Sequence, residues 1–491
     1  MFAPAQPTPG TLFLTNAPRA PIITLLALVA TGVGTGLAIF LVPEFGRGSS
    51  GLFASALAMS VGLLAAPVAA SLHQPRMILR GEFLLTLAPI YWLLLDLLQG
   101  VYSMAMIDTD QIKLAFLGIG LFVMMVWIGA VRRPWRIPQI VVSTAQQEFS
   151  MNAYFGIAVL CFLLAMLTFA IPSNFNILDM IHHLGQERWA APWGRGQLGG
   201  WDAFLDHLQY FGYLLPVLTV VVSRCAGWRN IRTILCAMMS LIITAFLAQS
   251  GSRRVVGVVI GMALIFSVLG HERLRLKHVV QTCVALVALL VVLQVMLEYR
   301  NIGLGTLVGV STEAAESREE KRRFLENEHL RVDDNFYRLC QIIQLIPHSY
   351  PYVYHKYLIY VIVRPIPRVF WPDKPVDPGF DLPTAVGVEG VSYSYSVIGE
   401  LYMSFGFIGI AIGGWFYGRI SAMARGLLQR SNTLAALVMY SVVAMALFSG
   451  MRSILELVLV SYVLLAWVVA SKLFTRLSGA SQMKPGGTVG I

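Results

Sequence analysis

The chain has 491 residues, 57% of them hydrophobic and only 13% charged, where soluble domains carry about 25% charged residues. That balance excludes an ordinary soluble globular protein. The net charge of +10 needs no nucleic acid to explain it, because basic residues hold cytoplasmic loops against anionic lipid head groups.

Taken in order, the sequence contains twelve apolar runs, at about 21–42, 51–72, 82–104, 112–131, 151–171, 207–223, 231–249, 254–270, 279–297, 397–418, 432–449 and 453–473. In hydrocarbon a backbone must satisfy its own polar groups, so each run is predicted to be a membrane-spanning helix. The first run, from Pro21, lacks a clear signal-peptide cleavage pattern and reads as a retained helix. Five cysteines (Cys161, Cys225, Cys236, Cys283 and Cys340) are scattered without metal-ligand spacing. Neither a zinc site nor a disulfide framework is expected from them.

Placing the N-terminus inside gives alternate loops that carry Arg76 and Arg80; Arg132, Arg133 and Arg136; Arg224, Arg229 and Arg232; Arg273, Arg275 and Lys277; and Arg419, Arg425 and Arg430. The tail adds Lys472, Arg476 and Lys484. Each of these loops is basic, so both termini are expected in the cytoplasm. The expected fold is an all-α polytopic integral membrane protein of about twelve helices. Residues 1–297 hold helices one to nine with a first large outer loop at 172–206, and residues 298–396 form a second. Residues 397–473 hold helices ten to twelve, and 474–491 are the cytoplasmic tail, Gly-rich after Ser478 and expected to be disordered.

In the first loop, His182 and His183 are adjacent and point to different sides, a poor metal pair, and the chain has no H-x-x-x-H pattern. Trp189, Trp193 and Trp201 read either as interface anchors or as platforms for sugar rings. The second loop starts with a highly charged stretch, 311–334, in which Glu319 and Arg323 have helical i,i+4 spacing and predict a solvated helix. Residues 335–347 predict an amphipathic helix ended by Pro347. Residues 357–363 are apolar but too short to span, and lie in the interface or re-enter. Then comes "VIVRPIPRVFWPDKPVDPGFDLP" (361–383), where five prolines from Pro365 to Pro378 impose an ordered but irregular loop.

Arginines facing outward run against the positive-inside trend and each asks for a local reason. They are Arg253 and Arg254, Arg300, Arg364 and Arg368, and Arg452. Together they would make a ring of guanidinium groups suited to a diphosphate. Singly, each reads equally as head-group snorkelling or ion pairing. Glu400 and Glu298 lie near the same level, and Glu456 stands four residues after Arg452, the spacing of an intrahelical pair. Asp96, inside helix three, reads as a buried hydrogen-bonding group.

The run "IPRVFWPDKP", followed by "YSVIGELYMSFGFIGI", resembles the Wzy-type polymerases of bacterial O-antigens and exopolysaccharides. The matching positions are Pro367, Arg368, Trp371, Pro372, Lys374 and Pro375, then Gly399, Glu400, Tyr402, Phe405 and Gly406. An Arg-x10-Gly spacing, a further family feature, occurs in both outer loops, from Arg188 to Gly199 and from Arg368 to Gly379. The specific residues lie mainly in 364–406, while the architecture of most of the chain fits the family.

The resemblance implies a metal-independent, cofactor-free inverting glycosyltransferase of the C-type membrane fold in a bacterial inner membrane. Its donor would be a growing glycan on a polyprenyl diphosphate such as undecaprenyl diphosphate, and its acceptor one repeat unit on a second such lipid. A chain-length regulator is left open as a partner, and nucleic acid is not expected. Arg368, Arg253 and Arg300 would then stabilise the departing diphosphate, with Glu400 as base or as the group orienting an arginine. Arg188, Arg195, Arg254, Arg364, Trp371, Lys374, Tyr402 and Arg452 would bind substrate. Two rival readings are an O-antigen ligase, for which His329, His348 and His355 are available, and a twelve-helix transporter.

Overall fold

Apolar runs become helices here because a helix is the only open segment that pairs all its own backbone groups. In the computed structural model, residues 20–44, 51–100, 107–186, 191–193, 202–249, 253–271, 274–299, 333–375, 377–388, 393–431 and 433–477 are described. Among them every regular element is helical. Those of seven residues or more are, in chain order, α1 (Ala20–Phe40), α2 (Gly51–His73), α3 (Gly81–Leu98), α4 (Thr109–Val131), α5 (Gln139–Ala145), α6 (Met151–Ala170), α7 (Ile177–Leu184) and α8 (Phe204–Ala226). They continue with α9 (Ile231–Gln249), α10 (Arg253–Gly270), α11 (Leu276–Tyr299), α12 (Asn335–Leu345), α13 (His355–Val363), α14 (Ser396–Arg430), α15 (Leu434–Ser449) and α16 (Ile454–Leu477). Among the described residues 11 helices are long and apolar enough to cross a membrane, and α15 adds a shorter apolar helix. The chain is therefore a multi-pass, all-helical membrane protein.

Local chemistry sets several boundaries. Ser150 Oγ accepts from Ala153 N at 3.2 Å to start α6, and Thr433 Oγ1 accepts from Ala436 N at 3.0 Å to start α15. In α3, Pro89 brings no N–H, and the turn after it, Ile90–Leu94, widens to the π pattern. Trp92 in that turn gives its carbonyl to Asn335 Nδ2 at 3.0 Å and its indole N–H to Phe448 O at 3.0 Å. A single widened turn so ties α3 to α12 and to the end of α15.

The centre of the bundle is the crossing of α4 and α14, and it depends on missing side chains. A Cβ on Gly414 or Gly418 would lie 2.5 Å from Phe122 O or 2.1 Å from Val126 O, so only glycine lets these backbones approach. α11 sits at the other extreme, with 11% of its apolar window buried.

Alternating helix direction sorts the charged turns to two ends. At one end Arg452 reaches Asp333, α12 packs against α4 and α14, and α13 packs against α14 and α16. At the other, Arg76 donates to His271 O, Arg425 to Glu82 Oε1 at 2.6 Å, and Thr433 Oγ1 to Ala145 O at 2.5 Å.

The amphipathic segment at 335–347 is a helix as expected, burying Phe336, Leu339, Cys340, Ile342 and Ile343. Helix ten differs from its expected bounds of 397–418. It runs to Arg430 but breaks at Phe405 and Gly406, where Gly406 has φ +62 and ψ −147. Residues 396–404 are thus a separate short segment ahead of the long span. Its last carbonyls are capped from outside the helix, Met403 O by Val353 N at 2.9 Å and Ser404 O by Tyr354 N at 3.1 Å.

Candidate functional site

Arg253 and Arg254 begin α10, where the helix dipole is positive and a cation is least welcome, so both need counter-charges. They find them in two different elements. Arg253 Nη2 lies 3.5 Å from Asp333 Oδ1, and Arg254 is ion-paired with Glu456. Arg452, in the turn before α16, pairs with Asp333 and reaches Glu456 Oε1 at 3.5 Å. Three arginines from two elements thus converge on the carboxylates of Asp333 and Glu456. Asp333 enters it from the start of α12, where Asp334 takes a left-handed φ of +52 that Asp tolerates better than most residues. Burial alone would push the Asp333 carboxyl up, but Arg452 and then Arg253 and Arg254 outweigh it and hold it below its ordinary value.

Glu400 lies beside this network at 3% exposure. Its Oε2 accepts from Ile454 N at 2.6 Å, so the carboxylate occupies the N-terminus of α16 and satisfies an otherwise unpaired donor. The hydroxyls of Ser453 and Tyr357 also reach it. Val397 N donates to Met451 O at 3.0 Å, which locks the short 396–404 segment to the same turn that bears Arg452. Tyr395 lies between these two regions, within electrostatic reach of both Glu400 and Arg364.

That loop is built by its own lysine. Lys374 Nζ donates to Arg364 O at 2.7 Å and to Ile366 O at 2.5 Å, closing the chain on itself. Burial, then Arg368 and Arg364, lower the Lys374 pKa from its ordinary value. Arg364 is exposed and donates to Tyr360 Oη over the same ring. Arg368 is exposed, and among the described residues no carboxylate pairs with it. Trp371 is 42% exposed beside it. Gly379 takes φ +83 and gives its N–H to Asp377 Oδ1 at 2.7 Å, a conformation in which a side chain would be strained.

Of the sequence-derived candidates, the fold brings Arg253, Arg254, Arg452 and Glu400 into one cluster and sets Arg364, Arg368, Trp371 and Lys374 on the adjoining loop. Tyr402 is different: at 5% exposure its hydroxyl donates to Ile346 O at 3.3 Å and its ring packs against Tyr352 and Phe407, so it fills the core. Lys374 is spent as a staple. Trp193 is likewise a packing residue, with its indole N–H on Gln249 Oε1 at 3.0 Å. Glu456 does meet Arg452, as its spacing suggests, yet Arg254 is its closer partner. Arg300, Arg188 and Arg195 lie outside the described residues, as do Trp189, Trp201, Gly199, His329 and the charged stretch up to residue 332.

Sequence reasoning passed over Asp333, Tyr357, Ser453 and Tyr395. For Asp333 a signal existed: arginines expected to face outward need carboxylates, and "VDDNF" places two at the head of an amphipathic helix. The hydroxyls had no signal, since only the fold brings α13 against Glu400.

No protein-family model, no curated protein and no solved structure matches this chain.

Proposed function

We propose that the chain is a membrane glycosyltransferase that joins oligosaccharide repeat units carried on polyprenyl diphosphate into an O-antigen or exopolysaccharide, at the outer face of a bacterial inner membrane. Both termini would then be cytoplasmic. The observation that carries the reading is the sorting at one end of the bundle. A preorganised network of arginines and carboxylates lies next to a stapled loop that presents Arg368 and Arg364 to solvent.

In the proposed reaction the acceptor's hydroxyl oxygen bonds to the donor's glycosidic carbon. The bond from that carbon to the diphosphate oxygen breaks, and the hydroxyl proton leaves to a base. Negative charge collects on the departing diphosphate, where Arg368 and Arg364 meet it first. The arginines held by Asp333 and Glu456 add donors already fixed in place, which need not reorganise. Glu400 suits a positioning role. With Oε2 on Ile454 N it fixes the start of α16, and so the turn that aims Arg452.

The test is to delete the gene and profile surface glycan together with lipid-linked intermediates. The expected result is loss of long polymer with single repeat units persisting on lipid, and restoration by the wild-type gene but not by Arg368→Ala. Full-length polymer accumulating on the polyprenyl lipid would instead identify a ligase. Unchanged glycan would remove the reading.

A further inference from the structure

The opposite end of the bundle holds a second gathering of arginines that the proposed reaction does not use. Residues 132–138 leave α4 as an irregular strap and cross α14. Pro134 lies 3.3 Å from the Cβ position of Gly426, and the Trp135 ring lies 5.0 Å from the Arg419 guanidinium carbon. Arg419 also lies 5.7 Å from the Trp415 ring, and the two indoles meet edge to face at 5.8 Å. The guanidinium is therefore wedged between two tryptophans at 7% exposure, with its Nε buried and without a hydrogen-bond partner. Glu82, the carboxylate buried at this end, is already taken by Arg80, Arg425 and Ser421.

On the strap itself Arg132, Arg133 and Arg136 are all exposed, and among the described residues none of them, nor Arg419, has an ion pair. The three strap arginines thus flank the Trp135 that covers Arg419, and among the described residues no carboxylate pairs with any of the four. One is nearly buried, which is costly for a charge without a counter-ion. The aromatic rings offset part of that cost. What is missing is an anion. Tryptophans belong at the level of lipid head groups, and fixed guanidinium donors match phosphate oxygens.

We propose that the strap 132–138 and the α14 surface at Trp415 and Arg419 form a binding site for the phosphate of an anionic phospholipid from the surrounding leaflet. The lipid phosphate bridges Arg419 and the strap arginines and pins the α4–α14 pair, the central crossing of the bundle, to the membrane at this end. This site stands apart from the glycan chemistry and does not depend on it.

The test uses the full-length protein purified in a neutral detergent, with Tm followed as lipid is added. Phosphatidylglycerol is expected to raise Tm by about 3 °C or more at saturation, and phosphatidylcholine not to. The triple variant Arg132→Gln, Arg133→Gln, Arg136→Gln should lose most of that rise, and Arg419→Gln should lose it as well. A charge-matched control, Arg229→Gln, Arg275→Gln, Arg476→Gln, removes three other exposed arginines and should keep it. Should Arg419→Gln fail to fold, the strap triple decides alone, because its side chains are exposed. Equal shifts in the strap and control variants would overturn the site in favour of diffuse attraction. An equal shift from inorganic phosphate would overturn the lipid as its occupant.

Discussion

Arg452 and Arg368 stand at the same end of the bundle in opposite circumstances. Arg452 is held by Asp333 and Glu456 in a turn pinned by Glu400, while Arg368 projects from a proline-rich loop with no carboxylate on it. The first arrangement fixes geometry and supplies field, and the second offers free donors. A site that must release as well as grip a diphosphate has use for both, since an arginine already paired costs little to organise and an unpaired one is free to bind.

The comparison breaks most directly at Arg368. Under the proposed function, Arg368→Ala abolishes polymer while the protein stays folded and in the membrane; normal chain length in that variant would remove Arg368 from the site. Asp333→Ala should do the reverse and act first on stability. It removes the carboxylate shared by Arg253 and Arg452 and should cost about 2 kcal/mol, below the full penalty of a buried pair because Arg452 keeps Glu456 and the Asp333 side chain has 26% exposure. A lowered Tm in detergent would show it, and an unchanged Tm would mean that the network is not structural.

Gly406→Ala tests the break that separates the 396–404 segment from the rest of α14. Its φ of +62 strains any side chain, and a Cβ would stand 3.1 Å from Tyr352 Oη, so a loss of about 1–2 kcal/mol is expected. A Tm equal to wild type would show that the backbone at this point is readily remodelled. The smallest effect concerns pH. Because the folded Asp333 carboxyl lies below its ordinary value, its contribution is complete above the unfolded carboxylate's pKa of about 4 and disappears as pH falls through the lower folded value. Tm should therefore be insensitive to this group between pH 7 and 5, as a flat window of about two pH units. Below about pH 4 it should fall, and Asp333→Asn should remove that part of the acid sensitivity. A fall already complete at pH 6, above that carboxylate range, would point to another group.

Much of the architecture was legible because membrane solvation writes itself into composition. The expected runs at 151–171 and 231–249 became α6 and α9 within about two residues, because hydrocarbon tolerates no other open conformation. The arginines expected to face outward were legible as anomalies for the same reason. Helix ten was misjudged because hydropathy does not register a reversal of φ. Gly406 looks like any membrane glycine until Tyr352 and the capping residues Val353 and Tyr354 are placed beside it.

The amino-acid sequence by itself determined that this chain crosses a membrane repeatedly, which turns are basic, and where proline forces the backbone out of helix. These follow from transfer energies and backbone sterics that act within a few residues. Only the tertiary structure decided that Asp333 joins Arg253 to Arg452, that Glu400 serves the start of α16, that Tyr402 faces the core, and that Arg419 is wedged between two tryptophans. Those pairings connect residues tens to hundreds of positions apart, and nothing local distinguishes a charge that will be paired from one that will be left open.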